Sequence, residues 1–203
     1  MLLYQFKAGT NPRRVSIYLA EKGLDIPRYE LDYANREHKS PAYLALNAAG
    51  RAPALVTDSG EVIADSAAIV EYLEELYPAN SMIGNDAATR AKVRALERLG
   101  TDLVVRAQIW LWNETNNFPF MQARPSSEMA GIMFQHVTEI LDALEKSIGD
   151  YEFLAGNRPT IADFTVFAIF QTARERFNLP FGNRHPRLDA WFANFRKRPS
   201  ADY

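Results

Sequence analysis

The stretch from Asn47 to Pro78 constrains the fold of this chain more than any other. It places a proline-led strand, a tight turn, a second strand and a helix start in quick succession. Ala54–Val56 and Glu61–Ile63 flank Asp58-Ser59-Gly60, a hairpin signal that makes the two strands antiparallel. Asp65-Ser66 then opens a helix, with Ser66 as the expected N-cap. Ile69, Val70, Leu73, Leu76 and Tyr77 form its apolar stripe, and Pro78 ends it. The N–H groups at such a helix start point outward and suit a small anionic ligand.

Upstream, Leu2–Phe6 reads as a buried strand. Asn11 is the expected N-cap of a first helix, with Pro12 at its first position. Val15, Tyr18, Leu19 and Lys22 share one face of that helix, and Gly23 closes it. Tyr29–Tyr33 alternates like a second strand. Residues 34–40 are loop-like, and Ser40-Pro41 starts a short helix through Leu46. The order is β-α-β-α-β-β-α, with the first two strands parallel and the last two antiparallel, a mixed four-stranded sheet.

After Pro78 the texture changes. Residues 79–87 are polar and read as a linker. Every later periodic segment is helical, near 88–117, 126–149, 160–177 and 186–198. The expected division is therefore an α/β domain over 1–78 and an all-helical domain over 88–203. Thr160-Ile-Ala-Asp163 is a capping box, and the helix after it, Phe164–Phe170, is apolar nearly all round and should be central. Asp163 then serves folding, not catalysis.

Composition excludes several classes. The formal net charge is −2, which argues against nucleic acid or a membrane surface as partner. No apolar run reaches the roughly 18 residues that span a bilayer. The opening residues read as a strand instead of a targeting signal, so a cytoplasmic protein is expected. There are no cysteines and only three histidines, His38, His136 and His185. A protein thiol nucleophile is excluded, no metal site is expected, and any thiol chemistry must use a thiol that arrives with a ligand.

Over essentially its whole length the chain resembles a soluble glutathione transferase. The resemblance rests on Thr10–Gly23, His38-Lys39-Ser40-Pro41, Asn47–Pro53, Asp65-Ser66, the capping box at 160–163 and Arg198-Pro199-Ser200, in that order and spacing. It implies a thioredoxin-like N-terminal domain, an all-α helical-bundle C-terminal domain, glutathione as co-substrate and a homodimer. Pro53 resembles the family's cis-proline, which presents the Ala52 backbone to the cysteinyl part of glutathione like an added strand. Asp65 and Ser66 resemble the pair that holds the γ-glutamyl end. His38 and Lys39 fall where the glycyl carboxylate is bound, and the sequence does not rank the two.

The sulfur is expected at the start of the first helix. Against delta-type patterns Thr10 takes the place of the hydroxyl residue. Against nu-like bacterial patterns Asn11 takes the place of the asparagine, and the hydroxyl position falls at Gly9. Both Thr10 and Asn11 remain candidate thiolate donors, together with nearby backbone N–H groups. On the first long helix of the second domain, Arg106, Trp110 and Asn113 share a face at i, i+4, i+7. They could line a pocket for the electrophile, although tryptophans at such spacing also pack cores. The Asn116–Met121 loop could shape its entrance. The resemblance thus implies attack of a glutathione thiolate on an electrophilic small molecule. The alternatives are nu-like disulfide or peroxide reduction and a non-catalytic binding or regulatory protein. A zeta-type isomerase fits less well, because the Ser-Ser-Cys stretch usual before its first helix is absent.

Overall fold

Leu2–Gln5 forms β1, Thr10–Lys22 α1, Arg28–Glu30 β2, Pro41–Leu46 α2, Ala54–Val56 β3, Val62–Ala64 β4 and Ser66–Leu76 α3. This computed structural model describes residues 1–115 and 124–202. The sheet order is β2-β1-β3-β4, with β1 parallel to β2 and β3 antiparallel to both β1 and β4. It is the mixed sheet expected from the sequence. Alternation along β1 assigns its two faces. Leu3 and Gln5 are buried, and Gln5 Oε1 accepts a hydrogen bond from Ser16 Oγ of α1 at 3.2 Å. Tyr4 and Phe6 pack instead beside Tyr43 of α2, Leu31 and Ala54. Helices therefore cover both sides of the sheet.

Both helix starts that frame the sheet differ from expectation by one or two residues. The N-cap of α1 is Gly9, not Asn11, because the first intrahelical bond runs from Arg13 N–H to Gly9 O, 2.9 Å. Pro12 is then the third helical residue. Its missing N–H still lies in the first turn, where no helical carbonyl would receive it. The N-cap of α3 is Asp65, not Ser66. Its carboxylate accepts the Ala67 N–H at 2.8 Å and its carbonyl accepts the Ile69 N–H at 3.0 Å.

The chain divides into two compact units, residues 1–82 together with the segment from Arg198, and Ile83–Lys197. Residues 79–82, expected in a linker, belong to the first unit for a physical reason. Glu74 is buried, and its carboxylate accepts from Tyr18 OH at 3.0 Å, Ser81 Oγ at 3.2 Å and Met82 N–H at 3.1 Å. Lys22 Nζ lies 2.8 Å from Glu74 Oε1 and also donates to Ala79 O at 2.7 Å and Asn80 O at 3.1 Å. Burial and the Glu74 charge push the Tyr18 hydroxyl pKa up, so it stays a donor. The segment from Arg198, expected in the helical domain, also joins the first unit. Arg198 grips Glu21 of α1 through two bonds of 2.7 and 2.8 Å, and Ser200 Oγ donates to the same carboxylate.

The second unit is helical: α4 Ala87–Thr115, α5 Ser127–Ile148, α6 Ile161–Gln171 and α7 Pro186–Phe195, with a π-type turn over Thr172–Arg176. Every residue of α6 is buried. The capping box is present at Thr160 and Asp163. Asp163, fully buried, accepts from the Thr160 N–H and hydroxyl, the Leu154 N–H and Trp191 Nε1 at 2.8–2.9 Å. No described helix is long and apolar enough to cross a membrane.

Candidate functional site

Strand register gathers the site. Tyr4 pairs with Ala54, and Ala54 with Ala64. The end of β1, the start of β3 and the end of β4 therefore meet at one edge of the sheet. Residues 6–11 leave β1 there, Ala52-Pro53 enter β3 there, and Asp65-Ser66 leave β4 there. Thr10, Asn11, Ala52, Pro53, Asp65 and Ser66 are brought together, although 56 positions separate the first from the last.

Helices α1 and α3 run parallel, as two levels of contact establish. Arg14 Nη1 donates to Ser66 Oγ at 3.3 Å near both starts, and Tyr18 and Lys22 meet Glu74 two turns further along. Both N-termini thus open at the same edge. Each carries the positive end of a helix dipole. The pair makes one side of the first unit favourable to negative charge.

At α1, Thr10 is 7% exposed while Asn11 is exposed to solvent. Gly9 before them is fixed by a turn, its N–H donating to Phe6 O at 3.0 Å. A Cβ at Gly9 would lie 2.9 Å from Pro12 Cδ, so this backbone admits no side chain there while Pro12 stays in place. The Ala52–Pro53 peptide bond is cis. The turn before it is pinned from two sides. Asn47 Nδ2 and Tyr43 OH donate to Arg51 O at 2.8 and 2.7 Å, and Lys39 Nζ donates to Gly50 O at 2.7 Å. Gly50 has φ 55°, and a Cβ there would lie 2.9 Å from His38 O, so the turn requires glycine twice over.

His38 is stacked on Tyr33 at 5.4 Å and meets Phe6 edge-on at 5.2 Å. Its Nδ1 is buried and has no hydrogen-bond partner among the described residues. Burial, then the nearby Lys39 and Arg36 charges, lower its pKa from 6.5. Asp65 is exposed and holds φ 98°, a strained region for a residue with a side chain. Ser66 is 3% exposed. A buried ring nitrogen without a partner, a buried serine at a helix start and a cation on a pinned turn fit a small peptide bearing carboxylates.

The three residues on α4 are placed differently. Trp110 is 5% exposed, stacked on Phe181 at 5.8 Å and tilted against Phe134 at 5.3 Å. Asn113 donates to Ile109 O at 2.9 Å and accepts the Ser126 N–H at 2.8 Å, which ties α4 to the start of α5. Arg106 pairs with Asp102 one turn back at 2.9 Å and keeps about a third of its side chain in solvent. Trp110 and Asn113 are thus engaged within the helical unit, and Arg106 is the most exposed of the three. The Asn116–Met121 loop lies outside the described residues. No group of three or more potential metal ligands occurs among the described residues.

Sequence reasoning missed Arg14. The signal was present, since Arg14 lies four residues before Tyr18 on the inward stripe of α1, where a charge demands a partner. Its partner, Ser66, is 52 residues away.

Known proteins resemble this chain in sequence and in fold. Residues 3–81 match the Glutathione S-transferase, N-terminal domain family, and residues 114–199 the Glutathione S-transferase, C-terminal domain family. Maleylacetoacetate isomerase of Pseudomonas aeruginosa is 36% identical over 195 residues, covering 94% of this chain and 86% of the relative. Glutathione S-transferase 2 of Saccharomyces cerevisiae is 25% identical over 205 residues, covering 98% of this chain and 87% of the relative. The crystal structure of a glutathione S-transferase domain-containing protein from Marinobacter aquaeolei VT8 matches with a TM-score of 0.88 and 27% identity, covering 98% of this chain and 99% of that one. With a mixed four-stranded α/β unit, a helical unit and relatives of this similarity along nearly its full length, the chain belongs to the glutathione S-transferase family.

Proposed function

We propose that this protein is a glutathione transferase that holds reduced glutathione along the site edge of its first unit and presents the sulfur as a thiolate to an electrophilic small molecule. The observation that carries this reading is the opening of the parallel helices α1 and α3 at one sheet edge. The start of α3 receives the γ-glutamyl carboxylate through the Ser66 hydroxyl and N–H, and Asp65 takes the ammonium. The Ala52 backbone pairs with the cysteinyl residue. Lys39, with neutral His38 beside it, receives the glycyl carboxylate.

The sulfur lies at the start of α1, where Thr10, Asn11 and first-turn N–H groups favour the thiolate. Asn11 is the more accessible side chain of the two. Lowering a thiol pKa from about 8.5 to about 6.5 raises the thiolate fraction at pH 7 roughly 25-fold. Reduced nucleophilicity takes back about 6- to 10-fold, so positioning of the electrophile must supply much of the acceleration. Arg106 is the most exposed of the three α4 candidates for contact with the electrophile. The proposal includes the homodimer usual in the family, which sedimentation would check.

A second reading is favoured by the 36% identity to an isomerase. There the thiolate adds to a cis double bond of a maleyl diacid, the single bond so formed rotates, and the thiolate leaves. The missing Ser-Ser-Cys stretch weighs against it. The fate of glutathione separates the readings. A chloronitroarene should consume one glutathione per conjugate, maleylacetoacetate should be isomerised with none consumed, and a disulfide should yield oxidised glutathione. Calorimetry showing no binding of glutathione would sink all three.

A further inference from the structure

Glu30 ends β2, the outer strand of the sheet, and no role described above uses it. Parallel register places it beside Gln5, so the end of β2 reaches the same edge as the end of β1. Its side chain makes two bonds there. Oε1 accepts from Gln5 Nε2 at 2.5 Å, and Oε2 accepts the Lys7 N–H at 3.0 Å. An ionised carboxylate only accepts, so it fixes the Gln5 amide with Nε2 toward Glu30 and Oε1 toward α1. Gln5 Oε1 in turn accepts from Ser16 Oγ of α1 at 3.2 Å, and Gln5 and Ser16 are both buried. One exposed side chain therefore holds the loop that enters α1 and, through Gln5, the body of α1 itself. Lys7 and Ala8 are exposed, so apolar packing does not hold that loop. Main-chain bonds carry the constraint forward, from Gly9 N–H to Phe6 O and from Arg13 N–H to Gly9 O.

From this geometry we infer that Glu30 is a positioning residue for the sulfur site: its two bonds hold residues 6–9 and α1 in one arrangement, and so aim the first-turn N–H groups of α1 at the glutathione sulfur. The inference rests on the proposed binding of the thiolate at the start of α1. The chemistry of the side chain sharpens it. By charge alone, a carboxylate at this edge disfavours a second anion. Its hydrogen bonds favour one, since donors stabilise a thiolate only where they stand ready at its position. The two effects act on the thiol pKa with opposite sign, so they can be separated. Glu30→Gln separates them by design. The new carbonyl can accept the Lys7 N–H while the new NH2 donates to a reversed Gln5 amide, because the Ser16 hydroxyl can either donate or accept. The bonds survive in that variant and the charge does not.

The test is a pH titration of bound glutathione, read by ultraviolet thiolate absorbance on the full chain. In the parent the thiol should titrate well below its free value of about 8.5. Glu30→Ala should raise that midpoint by about one pH unit, the size of one lost hydrogen bond. Glu30→Gln should leave it at or below the parent's. In turnover the pH profile of kcat should move in step, while KM for glutathione stays within about twofold. Calorimetry uses the glutathione analogue with 2-aminobutyrate in place of cysteine, which has no sulfur to be positioned. Its affinity should stay within about twofold of the parent's in both variants. If Glu30→Ala does not fold, Glu30→Ser, too short to reach Lys7, is read in its place. A midpoint lowered in both variants would make Glu30 a charge and nothing more, and a midpoint unchanged in Glu30→Ala would leave it no part in the sulfur site. Either result overturns the inference, as does an equal loss of affinity for glutathione and the analogue. A parent whose bound thiol titrates at the free value would instead overturn the thiolate reading, and the Glu30 role with it.

Discussion

Asp65 combines two opposed contributions. Its φ of 98° strains the backbone, while its carboxylate caps α3 through the Ala67 N–H. Replacing it with glycine relieves the first and removes the second. We expect Asp65→Gly to unfold within about 1 kcal/mol of the parent in denaturant, with glutathione affinity reduced by about tenfold or more in calorimetry. Lost stability with unchanged affinity would make Asp65 a cap alone. His38 gives a second prediction at this scale. Its lowered pKa, caused by burial and by neighbouring cations, keeps the ring neutral at pH 7. An NMR titration should place its midpoint below 6.5, and a higher midpoint would mean that an anion reaches the ring. The family resemblance pointed to Pro53, whose peptide bond is cis, and to the helix start at Asp65-Ser66, where local cap chemistry alone placed the N-cap one residue late. Arg14 carried half of its signal, a charge on the inward stripe of α1, and the other half was illegible because Ser66 is brought close only by the packing of α1 on α3.

Helix α1 shows how an element can be placed correctly and started wrongly. Asn-Pro looks like a cap and first residue, but the bond from Arg13 to Gly9 begins the helix two residues earlier. The consequence is chemical, because the position before Thr10 has no room for a side chain beside Pro12. Gly9→Ser should lower stability by about 1–3 kcal/mol, and Pro12→Ala should recover most of that loss when the two are combined, as unfolding curves would show. No recovery would locate the crowding elsewhere. At the other end of α1, Glu74 satisfies Lys22, Tyr18, Ser81 and the Met82 amide. Glu74→Ala leaves a buried ammonium without its carboxylate and should destabilise by about 3–5 kcal/mol, while Lys22→Met combined with Glu74→Leu should lose less than that. Equal losses would mean that the linker bonds, not the buried charge, dominate. Residues 79–82 have the composition of a linker, and Lys22 of α1 together with the buried carboxylate of α3 explains why they are fixed.

Across the molecule, two buried carboxylates respond to acid with opposite sign. Burial raises the Glu21 pKa, but bonds from Arg198 and Ser200 outweigh it and the net value falls below 4.5. Its contribution is complete above pH 4.5 and is lost as pH falls through the lowered value. Burial pushes Asp163 up to about 6 despite four donors. Its contribution is complete below pH 3.8 and is lost as pH rises through 6. Stability curves of the parent and of Glu21→Gln should therefore converge on acidification. Those of the parent and Asp163→Asn should diverge in the parent's favour as pH falls from 6 to 4, with a slope up to about 1.4 kcal/mol per pH unit. The two-unit division and the element order were legible because periodicity changes at Pro78. The return of the chain at Arg198 was not, since Arg-Pro-Ser carries no local sign of Glu21. That return has a further meaning. Glu21 and Lys22 are consecutive, and one holds Arg198 and Ser200 while the other holds Ala79 and Asn80. A single turn of helix thus clasps both ends of the helical insert, like a cord tied at its neck. Whatever chain runs between Met82 and Arg198 begins and ends at the same knot, so the α/β unit should accept a short flexible bridge in place of the whole insert and still fold.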